Sequence, residues 1–218
     1  MRSTQILSQA TARQAPWCNP AQAANGLPIQ DNFRRWFDSS VLKSSDGEPL
    51  ILTHGTDVDF DVFKPSSTGA HGPGIYMSQW APDGKSDYGD RTLHLVVRMR
   101  NPFRWTPSDE SYDALIDGDL IEAVLGPQQS KVVLDRVAYD VNGYGSEVRD
   151  ELVSRGHDGL VIIPPWSKGF MAGDNVVIAW SPEQVKLAHS NSGLFADGPS
   201  LSDSSTPIAS PVRRKMRP

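Results

Sequence analysis

Apolar and polar positions along this chain switch between a helical and an extended rhythm. From Asp31 to Leu42, the residues Phe33, Trp36, Phe37 and Leu42 recur at near-helical spacing behind an Asp31 cap, which predicts a short amphipathic helix. Asp46-Gly47 marks a turn, and Pro49-Leu50-Ile51-Leu52-Thr53 reads as a buried strand ending at His54-Gly55. Gly74-Ile75-Tyr76-Met77-Ser78 predicts a second short strand, behind a loop that holds Gly69, Gly72 and Pro73. The strongest β run is Thr92 to Met99, with Leu93, Leu95 and Val97 on one face and Asn101-Pro102 as its stop. Tyr112 to Leu125 and Tyr144 to Arg155 predict helices, the second closed by Gly156. Leu160-Val161-Ile162-Ile163 and Val176-Val177-Ile178-Ala179-Trp180 read as two more buried strands. There is no internal repeat. Strands without regular βαβ alternation predict an α+β class, with mostly antiparallel sheets and helices beside them.

Composition narrows the function classes. The 218 residues suffice for one domain with a real core. Lys plus Arg number 21 against 26 Asp plus Glu, a net charge of −5, which argues against a dedicated nucleic-acid binder. The single Cys18 excludes an intrachain disulfide framework and a multi-cysteine metal site. No apolar run approaches the roughly 20 residues of a bilayer span. A soluble monomer is expected, cytoplasmic or secreted without the apolar stretch of a signal peptide. Residues 1–30, rich in Ser, Thr, Gln and Ala, are expected to form a flexible leader or a secretion address. The domain is expected at 31–201, and 202–218 are expected to form a disordered basic tail carrying Arg213, Arg214, Lys215 and Arg217.

Candidate chemistry is sparse. His54 ends a buried strand and is followed by Gly55 and Thr56, and a glycine there lets the backbone approach a flat ligand. The same tripeptide also fits a turn beside a hydrogen-bonded core histidine. Tyr76 and Tyr88, twelve residues apart, could clamp an aromatic ring, although two tyrosines in a core are commonplace. The third stretch, Gly173 to Lys186, is a late strand entered from a polar loop. His71, His94, His157 and His189 have no metal-ligand spacing. Asp57, Asp59 and Asp61 alternate but lack the Gly and terminal Glu of a calcium loop. Glu147, Asp150 and Glu151 read as the solvated face of a helix.

Taken in order, these stretches resemble the ADP-ribosyltransferase fold of the diphtheria-toxin and poly(ADP-ribose)-polymerase branch, known for a His-Tyr-Glu triad. The likeness is greatest to phage- and bacteria-encoded members. It is carried by Phe33-Arg34-Arg35-Trp36-Phe37, Pro49-Leu50-Ile51-Leu52-Thr53-His54-Gly55-Thr56 and Asp59-Phe60-Asp61-Val62-Phe63. Asn101-Pro102, Gly156-His157-Asp158-Gly159, Val185-Lys186 and Asn191-Ser192-Gly193-Leu194-Phe195 continue it, from about Asp31 to Asp203.

The resemblance implies NAD as substrate, split at the nicotinamide–ribose bond through a transition state close to an oxocarbenium ion. It implies that His54 bonds a ribose hydroxyl, that the Gly55 backbone holds the carboxamide, and that Tyr76 and Tyr88 sandwich the nicotinamide ring. Thr56 and Ser78 would line the cleft, and Ser86 would reach the carboxamide. Val176 stands where the family carries its catalytic Glu, and Asp174, two residues earlier, is a stand-in that would need a loop distortion. Members without that Glu attach a single ADP-ribose unit or have lost catalysis. The implied function is therefore mono-ADP-ribosylation of a target protein or other macromolecule, in a bacterial effector, toxin or phage-derived factor. Two alternatives stand beside it: the same fold reused as a peptide- or ligand-binding module, and an RNA 2′-phosphotransferase or nucleic-acid modifier.

Overall fold

A computed structural model describes residues 15–67, 69, 71–79, 89–108, 118–137, 146–165 and 175–203. Its strands are β1 (Leu52–Thr56), β2 (Ile75–Ser78), β3 (Arg91–Val97), β4 (Phe103–Trp105), β5 (Gly159–Ile162), β6 (Val176–Ala179) and β7 (Val185–Leu187). Four helices accompany them among the described residues: α1 (Ile29–Phe37), α2 (Gly118–Leu125), α3 (Pro127–Val137) and α4 (Glu147–Ser154). The sheet order is β4-β5-β6-β2-β1-β3-β7, with β4 and β5 parallel and every other pair antiparallel. The class is α+β with a mostly antiparallel sheet, as the patterning predicts.

The sheet is two half-sheets joined at one point. β2 matches β6 from Ile75↔Ala179 to Ser78↔Val176, and β1 matches β3 from Leu52↔Leu95 to Thr56↔Arg91. Between β1 and β2 the register holds one pair, Thr53↔Ser78. Strand alternation then sorts the side chains. One face of both halves builds a shared core of Leu52, Leu95, Val97 and Val185 with Ile75, Met77, Val161, Val177 and Ala179, closed by Phe63 and Leu201. The other face is covered twice. Leu120, Ile121, Val124 and Leu152 pack on Leu160, Ile162 and Ile178 of the first half, and Phe33, Trp36 and Phe37 pack on Val96 and Ala188 of the second.

Several boundaries differ from the sequence expectation. α1 begins at Ile29 behind Pro28 and stops at Phe37, so Leu42 joins the shared core from a loop. Residues 15–28, assigned by composition to the leader, pack from Ala15 onward on this helix. Trp17 lies 5.4 Å from Phe33 between ring centres, which gives an otherwise polar segment its anchor. β1 runs on through His54 to Thr56 because β3 pairs with it over that whole length. β4, α3 and β7 carry no clear sequence signal: two are three residues long, and α3 offers only a weak apolar stripe. The helix expected from Tyr112 is described from Gly118, its earlier residues lying outside the described set.

Separate motifs of the chain meet as a scaffold. Asp158 accepts from the backbone N–H groups of Arg100 at 2.6 Å and Asn101 at 2.9 Å, and Asn101 Nδ2 donates to the Gly156 carbonyl at 3.0 Å. Gln184 accepts from the Trp180 and Ser181 backbones and donates to the Asp158 carbonyl at 2.7 Å. Asn32 donates to the Gly193 carbonyl at 2.9 Å, and Phe195 meets Phe33 edge-on at 5.1 Å. No helix among the described residues is long and apolar enough to cross a membrane.

Candidate active site

The seam between the half-sheets is where the candidate residues gather. Across it the register sets His94, Thr53, Ser78, Val176 and Ile162 in one row on consecutive strands. The Thr53 hydroxyl donates to the Ser78 carbonyl at 3.1 Å and lies 3.2 Å from the Ser78 hydroxyl, so two side chains reinforce the lone backbone pair. From His54 onward β1 is matched to β3 alone among the described residues, so it parts from β2 beyond the Thr53↔Ser78 pair and forms a wedge with it along Gly55 and Thr56.

His54 bridges that wedge. Its Nδ1 lies 2.7 Å from the Tyr76 carbonyl oxygen. A carbonyl can only accept, so Nδ1 carries the proton, and in the neutral ring Nε2 is an acceptor. The Phe63 ring meets the imidazole edge-on at 4.9 Å and 90°, which fixes its plane. Orientation is thus set from two sides, one polar and one aromatic.

Tyr76 is held differently. It packs against the core beneath α2 and α4, whereas its strand neighbours Ile75 and Met77 enter the shared core. The Tyr76 ring and the His54 ring therefore leave the strands on opposite faces, and the two residues meet through the Tyr76 main chain. The Tyr76 hydroxyl donates to the Gly72 carbonyl at 2.5 Å and accepts from the His71 N–H at 3.0 Å. Burial pushes the phenol up to about 12, with the His71 bond opposing the shift, so it is no base at neutral pH. Gly69 lies so close that a Cβ there would stand 2.3 Å from the Tyr76 hydroxyl oxygen, and no larger residue fits without moving the ring.

The remaining expected residues divide. Gly55 lies on the wedge edge of β1. The Thr56 hydroxyl accepts from the Val58 N–H at 3.1 Å, so it serves the turn after β1 rather than an open cleft. Ser78 is tied to Thr53, and half-buried Val176 stands opposite Ser78 and Ile162 against the apolar core. Asn175, fully buried, donates to Gln79 Oε1 at 3.3 Å. Ser86, Tyr88 and Asp174 lie outside the described residues. Gly89 sits against the end of β1, where a Cβ would fall 2.5 Å from the Thr56 carbonyl carbon, and the Asp90 N–H donates to Asp57 at 2.7 Å.

Thr53, Phe63, Gly69 and His94 belong to this neighbourhood without having been singled out as site residues. For Phe63 a signal existed in the Asp59-Phe60-Asp61-Val62-Phe63 stretch; for Thr53 and His94 it lay only in strand register. The three acidic residues of that stretch and its approach go separate ways: Asp57 bonds the Asp90 backbone, Asp59 pairs with Arg91, and Asp61 holds Ser200 and Ser202. His94 and His189 stand 6.1 Å apart, and burial together with the His94 charge lowers the His189 pKa from its usual 6.5.

A search among curated proteins found no match. A family model described as "ADP-Ribosyltransferase in polyvalent proteins" matches residues 44–195, a span that takes in all seven strands, the His54 bridge, the Tyr76 anchor and the Val176 position. The match supports a transferase domain of the ADP-ribose type, in agreement with the half-sheets and their seam. The chain belongs to the ADP-ribosyltransferase family of polyvalent proteins.

Proposed function

We propose that this domain binds NAD in the wedge between β1 and β2, releases nicotinamide, and transfers one ADP-ribose to a macromolecule. The observation that carries this reading is His54. Its proton is committed to the Tyr76 carbonyl, its plane is held by Phe63, and Nε2 is left as the acceptor that a ribose hydroxyl requires. Gly55 on the wedge edge offers backbone to the carboxamide; in this reading the half-buried Tyr76 ring, which leaves β2 on the face opposite His54, would have to reach the nicotinamide across the seam, with Tyr88 and Ser86 from the following segment completing the site. The leaving nicotinamide departs neutral, so the site must orient the riboses and tolerate positive charge at the anomeric carbon rather than supply a proton. In this reading Val176 would occupy the third position of the His-Tyr-Glu triad. An acceptor that is already an ionised carboxylate needs no deprotonation, which fits transfer of a single unit by a bacterial effector or a phage-derived factor.

Calorimetric titration of NAD, with nicotinamide release followed in the presence of protein extracts and labelled NAD, tests this. Saturable binding that weakens in His54→Ala and Tyr76→Ala, with label on an acceptor, is expected. Absence of any binding heat with wild type would remove the proposal. The half-buried apolar Val176 favours a second reading, a binding module without turnover, which predicts a bound ligand and no nicotinamide release.

A further inference from the structure

We infer that Lys186 and the C-terminal strap, residues 191–203, position His54 through Asp61 and Phe63. Lys186 on β7 is fully buried, yet its ammonium group finds three oxygens: the Gly198 carbonyl at 3.0 Å, the Ser200 carbonyl at 2.6 Å and Asp203 Oδ1 at 2.6 Å. Asp203, 4 % exposed, also accepts from Asn191 Nδ2 at 3.3 Å and from the Ala196 N–H at 3.2 Å. One buried ion pair thereby gathers both ends of the strap. Phe195 and Asp203 hold left-handed φ values of 47° and 50°, as does Ser190 just before the strap at 64°. Side chains other than Gly persist there only where surrounding contacts over-determine the backbone.

The strap in turn grips the loop that follows β1. Asp61 accepts from the Ser200 hydroxyl, the Ser202 hydroxyl and the Ser202 N–H, and its carbonyl accepts from the Leu201 N–H at 2.6 Å. Burial works to raise the Asp61 pKa, but these bonds and the Lys186 charge outweigh it and hold the carboxyl below its usual range. Two residues on, Phe63 enters the shared core beside Leu201 and presents its edge to His54 at 4.9 Å. The chain of contacts runs Lys186, Asp203 and Ser200, Asp61, Phe63, His54. A buried ion pair adds little net stability over an apolar replacement, but it admits few arrangements, and register-setting is its best-attested use. These residues act through His54 and are positioning residues for it. The consequence for NAD rests on the function proposed above, whereas the effect on His54 does not.

The test uses the full chain and the variants Asp61→Asn, Lys186→Met and Phe63→Leu. Hydrogen exchange over residues 196–203 reports the strap, histidine side-chain NMR with His54→Gln as the assignment control reports the imidazole, and NAD titration reports the site. Asp61→Asn and Lys186→Met should speed exchange in the strap and move the His54 resonances. Phe63→Leu should move them with the strap still protected. Each should raise the NAD dissociation constant about 10-fold, the scale of one misaligned hydrogen bond. A freed strap with unmoved His54 resonances, or a strap equally protected in every folded variant, overturns the inference. Should Lys186→Met fail to fold, the other two variants decide it. If wild type binds no NAD, the proposed function falls while the resonances still judge the coupling.

Discussion

Replacing Tyr76 by Phe removes one oxygen and keeps the ring, separating two roles that a tyrosine near a ligand can play. The lost hydroxyl donates to Gly72 at 2.5 Å and accepts from His71 at 3.0 Å, so the turn over residues 71–72 loses two hydrogen bonds. At about 1 kcal/mol each the cost is about 2 kcal/mol, with the hydrophobic contribution of the ring nearly unchanged. For a chain of this length that lowers the melting temperature by about 4–8 °C. The pH dependence supplies a second signature. The folded-state pKa of about 12 lies above the ordinary 10.0, so folding favours the neutral phenol. Its contribution is fully present below pH 10.0 and is lost as pH rises through about 12. Thermal melts followed by circular dichroism should therefore show a steep alkaline fall for wild type and a shallower one for Tyr76→Phe. With the hydroxyl committed to its own turn, the Phe variant should hold NAD nearly as well as wild type while the Ala variant does not. A Phe variant melting within about 1 °C of wild type, with the same alkaline limb, would refute the assignment of the hydroxyl to the turn.

Gly159→Ala would place a methyl 2.4 Å from Met99 Cε and 3.0 Å from the Ile178 carbonyl oxygen, inside the shared core. Overpacking of this kind costs about 1–3 kcal/mol, and a denaturant midpoint unchanged from wild type would count against the packing described. The lowered pKa of His189 means that its neutral form is favoured on folding, so its contribution is present above pH 6.5 and fades as pH falls. In an NMR titration His94→Gln should raise the His189 midpoint by removing the neighbouring charge; no change would show that burial alone sets it. Val176→Glu introduces a carboxylate opposite Ser78 and, on the proposed reading, should raise NAD hydrolysis by about 10²–10³, measured as nicotinamide release; no increase would speak against that assignment of Val176.

Much of the sheet could be read from the sequence because its strands are apolar on a clear rhythm, Leu93, Leu95 and Val97 among them. The helix ends were harder: Pro28 starts α1 and Asp38 ends it, and neither outweighs the apolar periodicity that continues to Leu42. β4 and β7 have no local signature because three residues carry no period, and they are held by partners distant in sequence. At the site, His54 and Tyr76 were visible as residues, but their relation was not. Strand alternation decides which face each ring takes, and that requires the β1–β2 register, a single pair that no local pattern encodes. The scattered motifs were legible as order and spacing, and their physical meaning proves architectural. Asp158 ties Asn101, Gln184 ties Asp158, and Gly193 ties Asn32, each a long-range bond that holds a loop rather than performing chemistry.

The strap also settles the fate of an outermost strand. β7 ends the sheet on its side, and the N–H of Leu187 would point to solvent were it not donated to the Leu201 carbonyl at 3.0 Å. A strand margin left bare in this way is a template onto which another polypeptide can add. Cutting the chain before the strap would strip that cover and expose Leu187 together with the core surface that Leu201 closes, so a shortened protein should self-associate through β7 even where its interior survives.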